Sequence, residues 1–252
     1  HRLDALCTAR HKQRRLSLIK ASSMMRFFPC LLSIVGLVST SCGAPQTKTG
    51  RSVEPEVVQA PCPEGRARVT RSGQAMFVTV AQAFSGAQQG DRIALCPGRA
   101  VHDEPLVLSN VSDVTISGDS TSLVANGDFP VVQLTGCTQV VLEGVHVVHE
   151  VGEWCAHGCV EISNSKQMTV RNSELDGSGY FGIVMSAVSD SEFRDNLFHN
   201  CHFGLSTWGS NGLTLAGNTF RDNRGANLED SGGSSFSNDV KADNEFGPIK
   251  AQ

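Results

Sequence analysis

The sequence carries little charge and few polar rings: Asp, Glu, Lys and Arg are 18% of its 252 residues, with one Tyr and two Trp. At 40% hydrophobic residues, so low a charge excludes a chain that is disordered throughout. The formal net charge is −4 and no basic patch occurs beyond Val114, which argues against a nucleic-acid partner. The apolar stretch Phe27 to Val38 is too short to cross a bilayer as a helix. The few large polar rings become worth following, since clefts for sugars use them.

What the chain does have is glycine, 25 residues of it, and a degenerate repeat. Val170-Arg171-Asn172-Ser173-Glu174-Leu175, Phe193-Arg194-Asp195-Asn196-Leu197-Phe198 and Leu215-Ala216-Gly217-Asn218-Thr219-Phe220 share one frame. Each starts on an apolar residue, has a small polar residue or Asn fourth, and ends on a large apolar residue. Leu142-Glu143-Gly144-Val145-His146-Val147 fits less fully, and Phe181-Gly182 recurs as Phe203-Gly204. A fixed period of this length means a solenoid, each unit burying its face against its neighbours.

Short strands between Gly, Asn, Asp and Ser, three to a coil, predict an all-β parallel β-helix of about six to seven coils over 62–252. Val170, Phe193 and Leu215, then Leu175, Phe198 and Phe220, then Ile162, Ile183 and Leu205 are expected to point inward. Asn196 and Asn218 are expected at a sharp corner, in left-handed backbone, with their amides forming a ladder. The apolar spacing in Val78 to Gln88 predicts a short N-terminal helix closing the open end of the solenoid. The Leu-x-x-Leu-x-Leu signature of a leucine-rich repeat is missing.

The segment before the repeat is read in three pieces. Residues 1–23 are basic without apolar periodicity and read as a non-native or disordered leader. Residues 24–42 read as a signal peptide, with Arg26 as its positive start and Phe27 to Val38 as its apolar core. Its end, Val38-Ser39-Thr40-Ser41-Cys42-Gly43, resembles a bacterial lipoprotein signal with Cys42 as the acylated residue; Ser39 departs from the usual Leu. Residues 43–61 read as a flexible linker. These features predict export, with the membrane met through a lipid anchor at Cys42, or else a secreted protein.

Export favours disulfides among the six cysteines past Cys42. Cys62 and Cys96 both fall near the start of the domain and are expected to pair. Cys155 and Cys159 are close enough to close a small loop, leaving Cys137 and Cys201 free and buried.

The run Gly73 to Gly98, with Thr79-Val80-Ala81-Gln82-Ala83 and Gln89-Gly90-Asp91-Arg92-Ile93-Ala94-Leu95-Cys96-Pro97-Gly98, resembles the opening segment of right-handed parallel β-helix proteins of the pectate-lyase-like superfamily. The Gly-Ile/Leu and Asn-x-Phe coils are also similar to those of periplasmic copper-insertion β-helix proteins. The resemblance covers roughly 62–250 and implies a right-handed, single-stranded helix. It also implies a substrate cleft along one sheet, here Val131 to Leu134, Val160 to Ser163, Gly182 to Ser186, Gly204 to Trp208 and Asn227 to Asp230. Alternation then points Gln133, Glu161, Val184, Ser206 and Glu229 outward in one stack.

The turn entering these strands carries the long insertion 149–159, where function tends to concentrate. The expected partner is a polysaccharide. Trp154, Tyr180 and Trp208 would stack on sugar rings, with Glu153 and Glu229 beside them, and the protein is expected to be a monomer without a cofactor. His157, Glu161, His202 and Arg224 are the candidate catalytic residues. A lyase would take His157 or His202 as base, with Arg224 or Lys166 neutralising a uronate. The superfamily's pectate-lyase motifs and Asp-rich calcium site are missing, however. A hydrolase needs two carboxyls about 5–9.5 Å apart. Glu161 and Glu229, three coils apart, would be separated by about 14 Å. Two alternatives stand beside the glycan reading: a non-catalytic envelope scaffold, and copper or zinc held by Cys155, His157, Cys159, Cys201 and His202.

Overall fold

The structure, a computed structural model, describes residues 61–150, 155–177 and 179–250. The expected leader, signal peptide, Cys42 and all but the last residue of the linker lie outside them. The domain opens with β1 (Arg66–Arg71) and β2 (Gln74–Thr79), a hairpin, followed by α1 (Val80–Ser85) and β3 (Arg92–Leu95). Then come β4 (Gly98–His102), β5 (Leu106–Ser109), β6 (Ser112–Ala125), β7 (Val132–Thr135) and β8 (Thr138–His149). The regular coils hold β9 (Gly158–Ser163), β10 (Thr169–Arg171), β11 (Glu174–Asp176), β12 (Phe181–Ser186), β13 (Glu192–Arg194), β14 (Leu197–His199) and β15 (Phe203–Trp208). β16 (Thr214–Ala216), β17 (Thr219–Arg221), β18 (Ala226–Gly232) and β19 (Glu245–Phe246) complete it.

These strands wind into a parallel solenoid of about seven turns. One face, which we call face 1, is the six-stranded sheet β5, β7, β9, β12, β15, β18. β10, β13 and β16 form face 2 with the first half of β8. β11, β14, β17 and β19 form face 3 with its second half. The long strands β6 and β8 bend from face 2 to face 3, which joins the two in one hydrogen-bonded sheet.

Inside, identical positions stack coil on coil. Ile93, Ile116, Leu142, Val170, Phe193 and Leu215 form one buried column on face 2. Leu123, Val147, Leu175, Phe198 and Phe220 form another on face 3. The Phe198 and Phe220 rings lie parallel with centroids 4.6 Å apart, close to the roughly 4.8 Å between strands. On face 1 Ile162, Ile183 and Leu205 are buried as expected; Val160 stacks with Ile183 and Leu205, and Ile162 with Met185 and Thr207.

The corner between faces 2 and 3 is built from an amide ladder. The Ser173 N–H donates to Asn196 Oδ1 at 3.1 Å, the Asn196 N–H and Nδ2 donate to Asn218 Oδ1 at 3.0 Å, and Asn218 Nδ2 donates to Asn244 Oδ1 at 2.8 Å. The left-handed residue is not the ladder Asn itself, as expected from the sequence, but the one before it: Asn172 (φ 50°), Asp195 (φ 56°) and Gly217 (φ 68°). That residue makes the bend, which frees the next side chain to turn inward and satisfy the corner's N–H groups. Gly144 (φ 66°) holds the same place one coil earlier, where a Cβ would overlap the Gly118 carbonyl oxygen.

Helix α1 is shorter than its apolar period suggested. Thr79 caps it reciprocally with Gln82, and Gly86 ends it. Val80, Ala83 and Phe84 are buried in the core. Nearby, Arg71 donates to both carboxylate oxygens of the fully buried Asp91, at 2.9 and 2.7 Å.

Candidate functional site

Face 1 brings the expected outward stack into register. Gln133 pairs with Glu161, Glu161 with Val184, Val184 with Ser206, and Ser206 with Glu229. Beside it runs a second outward row, Thr135, Ser163, Ser186 and Trp208, in which the Thr135 and Ser163 hydroxyls lie 3.1 Å apart. Gln133, Glu161 and Val184 of the first row and Ser163, Ser186 and Trp208 of the second line a groove of ≈ 160 Å³. Trp208, 45% exposed, stands at the strand ends, as expected of a ring offered to solvent.

The opposite rim is aromatic. Phe181 and Phe203 occupy the same position on successive coils, with centroids 5.8 Å apart and planes 24° from parallel. Tyr180 and His202 repeat this one residue earlier, at 5.1 Å. From Phe203 to Trp208 the strand spans about 17 Å, and the Glu161 to Glu229 row crosses between the two rims, with Val184 and Ser206 buried in its middle.

The polar candidates divide into separate pairs. His157 Nδ1 lies 3.1 Å from Glu161 Oε1, which also accepts from the Gly158 N–H at 3.4 Å. Glu229 accepts from the Ser206 hydroxyl at 2.7 Å. The His202 ring lies against Gly225, and Arg224 donates to the Asn200 carbonyl at 3.5 Å. His157 and His202 precede strands two steps apart, about 10 Å, so the four candidate catalytic residues do not meet around one point. Glu161 and Glu229 stay three strands apart, beyond the reach of a two-carboxylate hydrolase. Lys166 sits at the exit corner of face 1, bridged to Thr138 and Ser189. Glu153 and Trp154 lie outside the described residues.

The cysteines need a correction. Cys62 and Cys96 form a disulfide, but Cys155 and Cys159 are both free, as are Cys137 and Cys201. Their thiols face different groups: Cys155 Sγ is 3.2 Å from Asp128 Oδ1, and Cys159 Sγ is 3.9 Å from His149 Nδ1. Burial pushes the Cys155 thiol up to about 11 and that of Cys201 up to about 12, and holds Cys159 well above the usual thiol range. Among the described residues no group of three or more His, Cys, Asp or Glu is arranged to hold a metal ion, so the copper or zinc alternative finds no convergent donor set.

A second polar constellation escaped the sequence reading. On face 3, Ser122, His146 and Glu174 stack outward on successive coils, with Asp176 and His199 two residues further along. Ser122, His146 and Glu174 border a cleft of ≈ 320 Å³ that also takes in Ser120, Gly144 and Asn172. In the repeat frame His146 and Glu174 both hold the fifth place, the signal that would have found them.

Residues 130–247 match the family model of the right-handed beta helix region, and the chain is a right-handed parallel β-helix. No curated protein matches the sequence. A putative glycosyl hydrolase from Parabacteroides merdae is similar in structure, with 11% identity, a TM-score of 0.42, and 62% of this chain and 81% of that one covered. The A-module of a mannuronan C-5 epimerase from Azotobacter vinelandii is similar over 63% of this chain and 55% of that one, with 10% identity and a TM-score of 0.27. An alginate lyase from a Paenibacillus species is similar over 69% and 96%, with 11% identity and a TM-score of 0.21. These are likenesses of fold alone.

Proposed function

We propose that this right-handed β-helix binds an extended polysaccharide along face 1, as an exported protein tethered through Cys42. The observation that carries the reading is the in-register outward row of face 1 with ring side chains at both strand ends. Five outward residues of mixed polarity run in unbroken register between a rim of Tyr180, Phe181, His202 and Phe203 and a rim bearing Trp208. Ring faces take the apolar faces of sugars, while Gln133, Glu161, Ser186 and Glu229 supply donors and acceptors for hydroxyls. Repetition of one coil suits a ligand that is itself a repeat.

Binding fits this geometry better than cleavage. Glu161 and Glu229 are too far apart for hydrolysis, and the sites of the candidate base and cation, His157 and Arg224, belong to separate coils. Export rests on the Arg26, Phe27 to Val38 and Cys42 pattern. A glycan array probed with the purified domain tests the reading. Wild-type protein should retain a polymeric glycan that Trp208→Ala and Tyr180→Ala release, by roughly tenfold each, the loss expected of about 1–2 kcal/mol per ring. Absence of binding to every glycan would favour the scaffold alternative.

A further inference from the structure

We propose that Ser122, His146 and Asp176 form a nucleophilic site on face 3 that hydrolyses small carboxylic esters. The site is separate from the face 1 row and does not depend on it. Ser122 Oγ lies 3.1 Å from His146 Nδ1, and His146 Nε2 lies 3.8 Å from Asp176 Oδ2. A nucleophile within hydrogen-bond reach of a base, itself faced by a third group that can orient it, is the arrangement that activates a serine. His146 Nε2 is buried and has no hydrogen-bond partner among the described residues, and the Asp176 carboxylate faces it at 3.8 Å.

Asp176 is itself held in place. Asn200 Nδ2 donates to Asp176 Oδ1 at 2.8 Å and to His199 Nδ1 at 2.9 Å, and His199 Nε2 lies 2.8 Å from Glu174 Oε1. These contacts tie His199 to both carboxylates of β11, Glu174 directly and Asp176 through Asn200. The groups facing His146 are therefore Ser122 from β6, Glu174 and Asp176 from β11, and His199 from β14 behind them. Asp176 foremost, then Glu174, raises the His146 pKa, while partial burial opposes it. The tautomer this favours carries its proton on Nε2, toward Asp176, and leaves Nδ1 to accept from Ser122.

The cleft of ≈ 320 Å³ falls at the small end of the roughly 300–1,000 Å³ typical of small-molecule sites. Asn172, on the same cleft, offers a side-chain amide to a developing oxyanion. In the reaction Ser122 Oγ attacks the ester carbonyl as its proton passes to His146 Nδ1. Collapse of the tetrahedral adduct breaks the bond to the alcohol, which leaves with that proton. Water, deprotonated by His146, then cleaves the acyl-serine to release the acid and restore Ser122. Ser122 and His146 are catalytic, and Asp176 positions His146.

Purified protein is treated with a fluorophosphonate and digested, and the adduct is mapped by mass spectrometry; p-nitrophenyl acetate reports turnover. The expected results are an adduct on Ser122 and hydrolysis that falls roughly 100-fold in Ser122→Ala and His146→Gln. Asp176→Asn should move the rising limb of the pH–rate profile to lower pH, because His146 loses the carboxylate that raises it, an effect a purely structural role would not produce. No adduct on Ser122 in folded wild-type protein overturns the assignment and needs no variant. Unchanged turnover in a folded Ser122→Ala protein does the same, and an unmoved limb in Asp176→Asn removes Asp176 from it.

Discussion

Asn196 and Asn218 share one lone-pair bearing oxygen: Asn218 Oδ1 accepts from both the backbone N–H and the side-chain Nδ2 of Asn196, each at 3.0 Å. Both side chains are buried, and each Nδ2 also donates to a carbonyl of the neighbouring coil, Val170 for Asn196 and Phe193 for Asn218. The two buried amides are therefore paired from within the corner.

Asn196→Ala should break this ladder and strand the Ser173 N–H and the Val170 carbonyl in a dry interior. The expected loss is about 2–4 kcal/mol of unfolding free energy, summing more than one unsatisfied group. Urea denaturation followed by circular dichroism measures it. Asn196→Asp should cost a similar amount, because a carboxylate cannot donate to Val170.

The Arg71–Asp91 pair sets an acid limit on the N-terminal end. The Arg71 hydrogen bonds hold the Asp91 carboxyl below its ordinary range, against an opposing effect of burial, and the Gln88 N–H adds to them. A depressed carboxylate contributes stability above its unfolded pKa, near 3.9, and that stability is lost as pH falls through the lower folded value. Asp91→Asn should thus lower the melting temperature at pH 7 and flatten its fall below pH 4. Thermal melts of both proteins from pH 2 to pH 7 check the sign.

Four buried thiols should be silent in the folded protein. Burial raises the pKa of Cys137, Cys155, Cys159 and Cys201 alike, and the thiolate is the reacting species. Iodoacetamide at pH 8 should leave all four unmodified, and denaturant should expose them together. Differential alkylation read by mass spectrometry distinguishes this from an oxidised Cys155–Cys159 pair, which would stay unlabelled until reduced.

Much of this architecture is legible in the sequence because a solenoid writes each coil in the same frame. Val170, Phe193 and Leu215 could be aligned by eye, and period-two alternation then set Glu161, Val184, Ser206 and Glu229 on one wall. The same alternation puts Ile162, Ile183 and Leu205 inside, although the register that stacks Ile183 on Val160 shows only once the strands pair. Asn was given the left-handed bend because it tolerates one, but Asp195 and Gly217 take the strain and leave Asn196 and Asn218 to bond inward.

The candidate site was harder to read for a different reason. Residue type and spacing gathered His157, Glu161, His202 and Arg224 on one edge, but the rise between strands keeps them on different rungs. Cys155 and Cys159 are near in sequence, yet the strand beginning at Gly158 carries Cys159 toward His149 and away from Cys155's contact with Asp128. Ser122, His146 and Asp176 lie 24 and 30 residues apart and become neighbours only once coils are stacked in register.

The length dependence of oligosaccharide affinity, measured by titration calorimetry from disaccharide upward, tests the face 1 account most directly. A binding row across five stacked strands predicts that affinity climbs with each added sugar and levels off once the ligand outruns the sheet. Affinity independent of length, or no heat with any oligomer of a glycan the protein retains, would contradict it.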